Sequence, residues 1–269
     1  MHVERYGHGG APILLVHGFG TCAFLWRDIG PALALANRTA FAVDLFGYGE
    51  SDRPFDAEFG ITAQSEYLDR ALTALRLTKA TFVGVDLGAA VAMHLAYSRP
   101  DRVERLVLVN PIAYDAVPAG DVKSLQRNTA RFALRISRGV LGAAPLMREL
   151  LTASVADPEA MPEPLIARYL APYVGQDGLD HLLTLARSID EGDMQEIDIG
   201  QIDCPSLLIV GDHDQFVSPK VPEKLAETIP GCRLLRLPGL GRLVPEEASD
   251  TLANMILEFV GAASMVRSE

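Results

Sequence analysis

The sequence predicts an α/β fold: a mainly parallel, doubly wound sheet with an inserted helical cap. Three observations predict it. Short apolar, β-branched runs alternate with helical patterns from residue 3 to residue 111, and such alternation implies parallel strands with helices on both faces. The alternation then stops, and residues 112–201 carry helical patterns with Pro and Gly breaks but no convincing strand. Strand and helix runs resume together at Ser206. The expected division is a core of residues 1–111 and 202–269, with 112–201 as a cap over the carboxyl ends of the strands.

Taken in order, Val3–Tyr6 reads as a short strand before a Gly-His-Gly-Gly turn. Pro12–Val16 is an apolar run bounded by turn residues, as a buried strand is, and it leads into His17-Gly18-Phe19-Gly20. Residues 29–36 read as a short helix opened near Pro31. Thr39–Val43 is the next strand, followed by a loop rich in Gly and charge from Asp44 to Pro54. Thr62 is placed to N-cap a helix reaching Leu77, with Tyr67, Leu68, Ala71, Leu72 and Leu75 at its apolar positions. Residues 80–96 begin as a strand and end as an alanine-rich helix, and residues 105–109 form another strand. Helices are expected at 122–137, 145–154, 164–173 and 179–189. After a strand at 206–210 come a helix at 222–229, the strand Arg233–Leu237 and a last helix at 246–260.

Composition narrows the function. With 269 residues, 49% of them hydrophobic and 22% charged, the chain is that of an ordinary globular protein able to bury a large core. A formal net charge of −11 disfavours a polyanionic partner, so nucleic acid is not expected. Cys22, Cys204 and Cys232 are odd in number, far apart and never in a C-x-x-C pair, which suits a reduced compartment and gives no zinc signature. The first residues lack a basic stretch followed by an apolar one, and no apolar run reaches spanning length, so a cytoplasmic location without a membrane partner is expected. Gly18-Phe19-Gly20 lacks both the Lys-Ser/Thr ending of a phosphate loop and the third glycine of a dinucleotide fingerprint. No cofactor and no metal is expected; the partner is a small-molecule substrate, and no signature of oligomeric state is visible.

The chemistry centres on Gly84-Val85-Asp86-Leu87-Gly88. Small residues on both sides of Asp86 allow the tight strand-to-helix turn that lifts one side chain above a sheet, the context of a nucleophile elbow. Asp86 equally suits a helix N-cap. The backbone N–H groups opening the next helix favour a carboxylate there.

Together with His17-Gly18, Asp44-x-x-Gly47-x-Gly49-x-Ser51, Gly211-Asp212-His213-Asp214 and the Gly241-centred loop before the last helix, this elbow resembles the α/β-hydrolase superfamily over nearly the full length. An aspartate in the elbow looks like the haloalkane dehalogenase and epoxide hydrolase branch, where it forms a covalent ester with the substrate. That resemblance implies an oxyanion hole made by the backbone N–H groups of Phe19 and Leu87. It implies Asp214 as the orienting acid, with Asp212 as the alternative. Two positions depart from the branch: Gly20 stands where epoxide hydrolases usually carry proline, and Leu87 where dehalogenases usually carry Trp. A third departure matters most. The position of the family's catalytic histidine, after a glycine in the last loop, is Arg242, and no histidine follows residue 213.

An aspartyl ester needs a base to activate water, and arginine, with a pKa above about 12 and no acceptor lone pair, cannot serve. It can pair with carboxylates, so Arg242 is expected to bridge Asp86 and Asp214 as an Asp-Asp-Arg triad. Substitute bases would come from His181 in the cap, from His213 or from His94. His17, Trp26 and His181 are candidates for substrate binding; Trp26, Tyr114, Tyr169 and Tyr173 either line a pocket or fill the core. The leading expectation is a hydrolase of small, mostly apolar epoxides, organohalides or esters with Asp86 as nucleophile. The alternatives are a non-hydrolytic lyase, decarboxylase or cyclase, and a non-catalytic ligand-binding protein.

Overall fold

A computed structural model describes residues 1–54, 56–127 and 144–262. Its strands are β1 (Val3–Tyr6), β2 (Pro12–Val16), β3 (Thr39–Val43), β4 (Ala80–Val85), β5 (Val103–Val109), β6 (Ser206–Gly211) and β7 (Arg233–Leu237). They form one sheet in the order β1-β3-β2-β4-β5-β6-β7, with β1 antiparallel to β3 and every other pair parallel. Each strand lies where the apolar runs put it; β5 starts two residues earlier than expected. β4 is buried along its whole length, because a parallel strand covered on both faces must be apolar throughout. β7 lies at the sheet's edge and is partly exposed.

The helices are α1 (Ile29–Leu35), α2 (Ile61–Ala74), α3 (Leu87–Ser98), α4 (Gly120–Gln126), α5 (Ala144–Ala153), α6 (Glu163–Leu170), α7 (Gly175–Ser188), α8 (Gly192–Gln195), α9 (Lys220–Thr228), α10 (Val244–Glu247) and α11 (Ser249–Ala262). Of the helix expected at 122–137, α4 accounts for the start, and residues 128–137 lie outside the described residues. The last helix is not continuous: the backbone leaves helical geometry at Ala248 and splits it into α10 and α11. Nor does Thr62 cap α2. Gly60 holds the N-cap position, and Asp193, from the segment after β5, accepts from the Ile61 and Thr62 N–H groups and the Thr62 hydroxyl. A carboxylate from far along the chain does the capping, which no local pattern announces.

Helix α3 is buried from Leu87 through Ala96, which explains its alanines: a helix covered on all sides has no polar face. It packs tightly where it begins. A Cβ added at Gly88 would overlap the carbonyl oxygens of Val16 and His17, so this position admits only glycine. The tight join puts Asp86 at the carboxyl edge of the central strand β4, between β2 and β5. Elements between β5 and β6 contact that edge. Met147 of α5 sits over Gly20, His181 of α7 bonds the Gly47 carbonyl at 2.6 Å, and Arg53 joins the Gly49 and Pro172 carbonyls. Among the described residues, no helix is long and apolar enough to cross a membrane.

Candidate active site

Asp86 has φ 53° and ψ −115°, a conformation that costs a non-glycine residue of order 1–3 kcal/mol and that packing must hold in place. Asp86 occupies the N-cap position of α3, but its side chain makes no capping bond to the N–H groups further into the helix. Oδ2 accepts from the Phe19 backbone N–H at 2.9 Å, and the Leu87 N–H also favours the ionised form. The two N–H groups expected to form an oxyanion hole therefore converge on Asp86 itself. The other oxygen, Oδ1, accepts from Nη2 of Arg242.

Arg242 is only 3% exposed and lies over the ring of Phe216, 5.2 Å from its centroid. Its Nη1 donates to Oδ2 of Asp121 at 2.9 Å. The guanidinium thus bridges two carboxylates as expected, but the second is Asp121 rather than Asp214. Asp214 is occupied elsewhere: Oδ1 accepts from the Phe216 and Val217 N–H groups, and Oδ2 from the Asn110 amide at 3.2 Å. It closes an Asx-type turn after β6 and acts on Arg242 only through its field. Asp212, the alternative acid, accepts from the Gly239 N–H on the exposed side.

Two carboxylates and one guanidinium, all buried, carry a formal charge of −1. Burial pushes the Asp86 carboxyl up, Asp121 adds to the rise, and Arg242 with the two N–H groups opposes it. For Arg242, burial works against the charge, but Asp86, Asp121 and Asp214 outweigh it and hold the guanidinium ionised. Two polar atoms here have no protein partner: Nε of Arg242 and Oδ1 of Asp121.

The histidines do not reach Asp86 through any bond. His17 is fully buried, Nδ1–H facing the Gly18 carbonyl at 2.7 Å while Nε2 accepts from the Leu45 N–H at 3.0 Å. Burial lowers its pKa, so it is a neutral pin between the Gly18 and Leu45 backbones. His94 bonds Ser65 and Thr62. His181 is spent on the Gly47 carbonyl, and His213 is exposed beside Asp212. Trp26 is fully buried. Tyr169 donates to Glu246, which Arg27 also holds; Tyr114 bonds Thr228. Asp121 is the site residue that sequence reasoning missed. Its only local signal is an acid in the first turn of a helix, which the helix dipole explains without any further role.

A family model described as alpha/beta hydrolase fold matches residues 11–249. The chain belongs to the α/β-hydrolase family. Across 96% of its length it is 30% identical to a Pseudomonas putida dihydrolipoyllysine-residue acetyltransferase component of an acetoin cleaving system, and it spans 65% of that protein. It is 28% identical to a haloalkane dehalogenase from Mesorhizobium japonicum, covering 97% of this chain and 87% of that one. A ligand-free epoxide hydrolase structure superposes with a TM-score of 0.83 at 22% identity, over 97% of this chain and 95% of the other, a likeness that bears on the fold alone.

Proposed function

We propose that the protein is a hydrolase of small, mostly apolar organic substrates of the epoxide, organohalide or ester type, with Asp86 as the nucleophile. One observation carries this reading: the Asp86 carboxylate lies with one oxygen on the Phe19 N–H and the other directed away from it. An oxygen so held is placed to receive negative charge when an ester at Asp86 is later attacked by water, and donors aimed at developing charge are a large source of catalysis. Oδ1 is then the attacking atom. It displaces a halide or opens an epoxide at the substrate carbon to become the oxygen of an alkyl ester, or displaces the alkoxide of an ester to become the bridging oxygen of an anhydride, still beside Nη2 of Arg242. The buried apolar side chains of Phe19, Leu87 and Met147 suit an uncharged substrate, and the formal −1 charge already present disfavours an anion. In this reading residues 112–201 act as the cap over a core of 1–111 and 202–269, with Asp86, Arg242 and the N–H groups of Phe19 and Leu87 as the working site. The full-length likeness to a haloalkane dehalogenase supports the substrate class, and three free cysteines suit the cytoplasm.

A second reading is favoured by the Arg242 bond to Oδ1: a fixed ion cluster in a non-catalytic member of the family. One experiment separates the two. Wild type and Asp86→Asn are incubated with 1-bromobutane, styrene oxide and p-nitrophenyl acetate, and intact mass and product are followed. An added mass mapped to Asp86, or product formation absent from Asp86→Asn, supports the nucleophile. Neither adduct nor Asp86-dependent product with any probe would leave the fixed cluster.

A further inference from the structure

Hydrolysis of an ester at Asp86 needs an acceptor for a water proton, and the family's histidine position cannot provide one. Arginine has no lone pair to offer. His17, His94 and His181 already bond groups away from Asp86. A different acceptor is available. Oδ1 of Asp121 is buried and has no partner, while Oδ2 of the same carboxylate is fixed at 2.9 Å on Nη1 of Arg242. The other arm of that guanidinium holds Asp86, so one planar group sets the two carboxylates side by side.

From this we infer that Asp121 is the general base of the site, taking the proton from the water that hydrolyses the Asp86 ester. The inference rests on Asp86 being the nucleophile. A buried carboxylate oxygen without a donor is costly, and a water is a donor that would satisfy it. A water that donates to Oδ1 of Asp121 keeps a lone pair free for the carbonyl carbon of the neighbouring ester. Bases act over hydrogen-bond reach or through one water, and Arg242 ties both carboxylates to the two arms of one guanidinium. Charge favours the step too. Esterification removes the charge of Asp86, leaving Arg242 and Asp121 as a balanced pair.

The atoms balance as follows. In the first step Oδ1 of Asp86 bonds to the substrate carbon; a halide departs with the bonding pair, whereas an epoxide oxygen takes that pair, stays on the substrate and is protonated from solvent. In the second, the water oxygen bonds to Cγ of Asp86, one of its protons moves to Oδ1 of Asp121, and the carbonyl electrons pass to Oδ2, where the Phe19 N–H holds them. The carbonyl re-forms, the bond from Cγ to the ester oxygen breaks, and the departing oxygen, with Nη2 of Arg242 donating to it, takes the proton from Asp121 and leaves as an alcohol. The second water proton remains on the Asp86 carboxyl and passes to solvent.

The test compares wild type with Asp121→Asn, which keeps an oxygen for Nη1 but is no base. Both are treated with 1-bromobutane and with styrene oxide in water enriched in oxygen-18, and the intact mass is followed in time. Wild type is expected to form a transient adduct and return with one heavy oxygen in Asp86. Asp121→Asn is expected to form the adduct within about threefold of the wild-type rate and to lose it 100-fold or more slowly, the scale of general-base catalysis. Asp121→Ala gives an independent route, since added formate should restore release. Equal release in wild type and Asp121→Asn, or a wild-type adduct that never leaves, overturns Asp121 as base while Asp86 stands as nucleophile. No adduct in any protein overturns both.

Discussion

Replacing Arg242 by methionine tests the electrostatics of the site most directly. The substitution keeps an unbranched chain against Phe216 but leaves Asp86 and Asp121 buried without their shared cation. At a separation near 4 Å and an effective dielectric near 20, each carboxylate loses about 4 kcal/mol of attraction. The desolvation that arginine no longer suffers returns part of this, and breaking a buried ion pair by removing one partner typically costs about 3–5 kcal/mol. About 4 kcal/mol is therefore expected at pH 7.5. The loss should shrink in acid. Burial and Asp121 already raise the Asp86 carboxyl, and Arg242 is what opposes them, so the variant's carboxyl rises further. A carboxyl whose folded pKa exceeds its unfolded one binds more protons when folded, so stability is present below the unfolded value and is lost as pH rises through the folded value. At pH 5 the deficit should therefore be smaller than at pH 7.5. Thermal unfolding followed by circular dichroism checks this; at about 2 °C per kcal/mol for a chain of this size, Tm should drop by about 8 °C at pH 7.5 and by less at pH 5. A drop of equal size at both pH values, or none at pH 7.5, would refute the argument that a buried cation balances two ionised carboxylates.

Three further outcomes follow from the same geometry. Asp86→Asn removes the excess buried charge and leaves Arg242 paired with Asp121, so it should raise stability at pH 7.5 by on the order of 1 kcal/mol while abolishing labelling in intact-mass assays. Asp214→Asn should cost about 1 kcal/mol in denaturant melts through its turn and leave the rate of Asp86 labelling within about threefold, since Asp214 makes no bond to Arg242. Gly88→Ala drives a methyl group into the backbone carbonyls of Val16 and His17 and should cost about 3 kcal/mol, read as loss of soluble protein or a large Tm decrease.

The strands, the tight β4–α3 turn and the presence of arginine rather than histidine at residue 242 are all legible in the sequence, because each is a local pattern. A buried parallel strand must be an uninterrupted apolar run, and the β4–α3 turn must have small residues where α3 meets the carbonyls of Val16 and His17. That residue 242 is arginine and not histidine needs only the order of the last loop. The partner of Arg242 was not legible. Asp121 and Asp214 both sit in local contexts that accept an aspartate, the first turn of a helix and a turn after a strand. Tertiary packing chose between them: α4 brings Asp121 onto the guanidinium, while Asn110 and two backbone N–H groups keep Asp214 away. Asp193 capping α2 and His181 bonding Gly47 are cases of the same kind. The sequence determines which groups are charged and which turns are tight; only the fold decides which charges meet, because long-range pairing is set by how separated elements pack, not by neighbours along the chain.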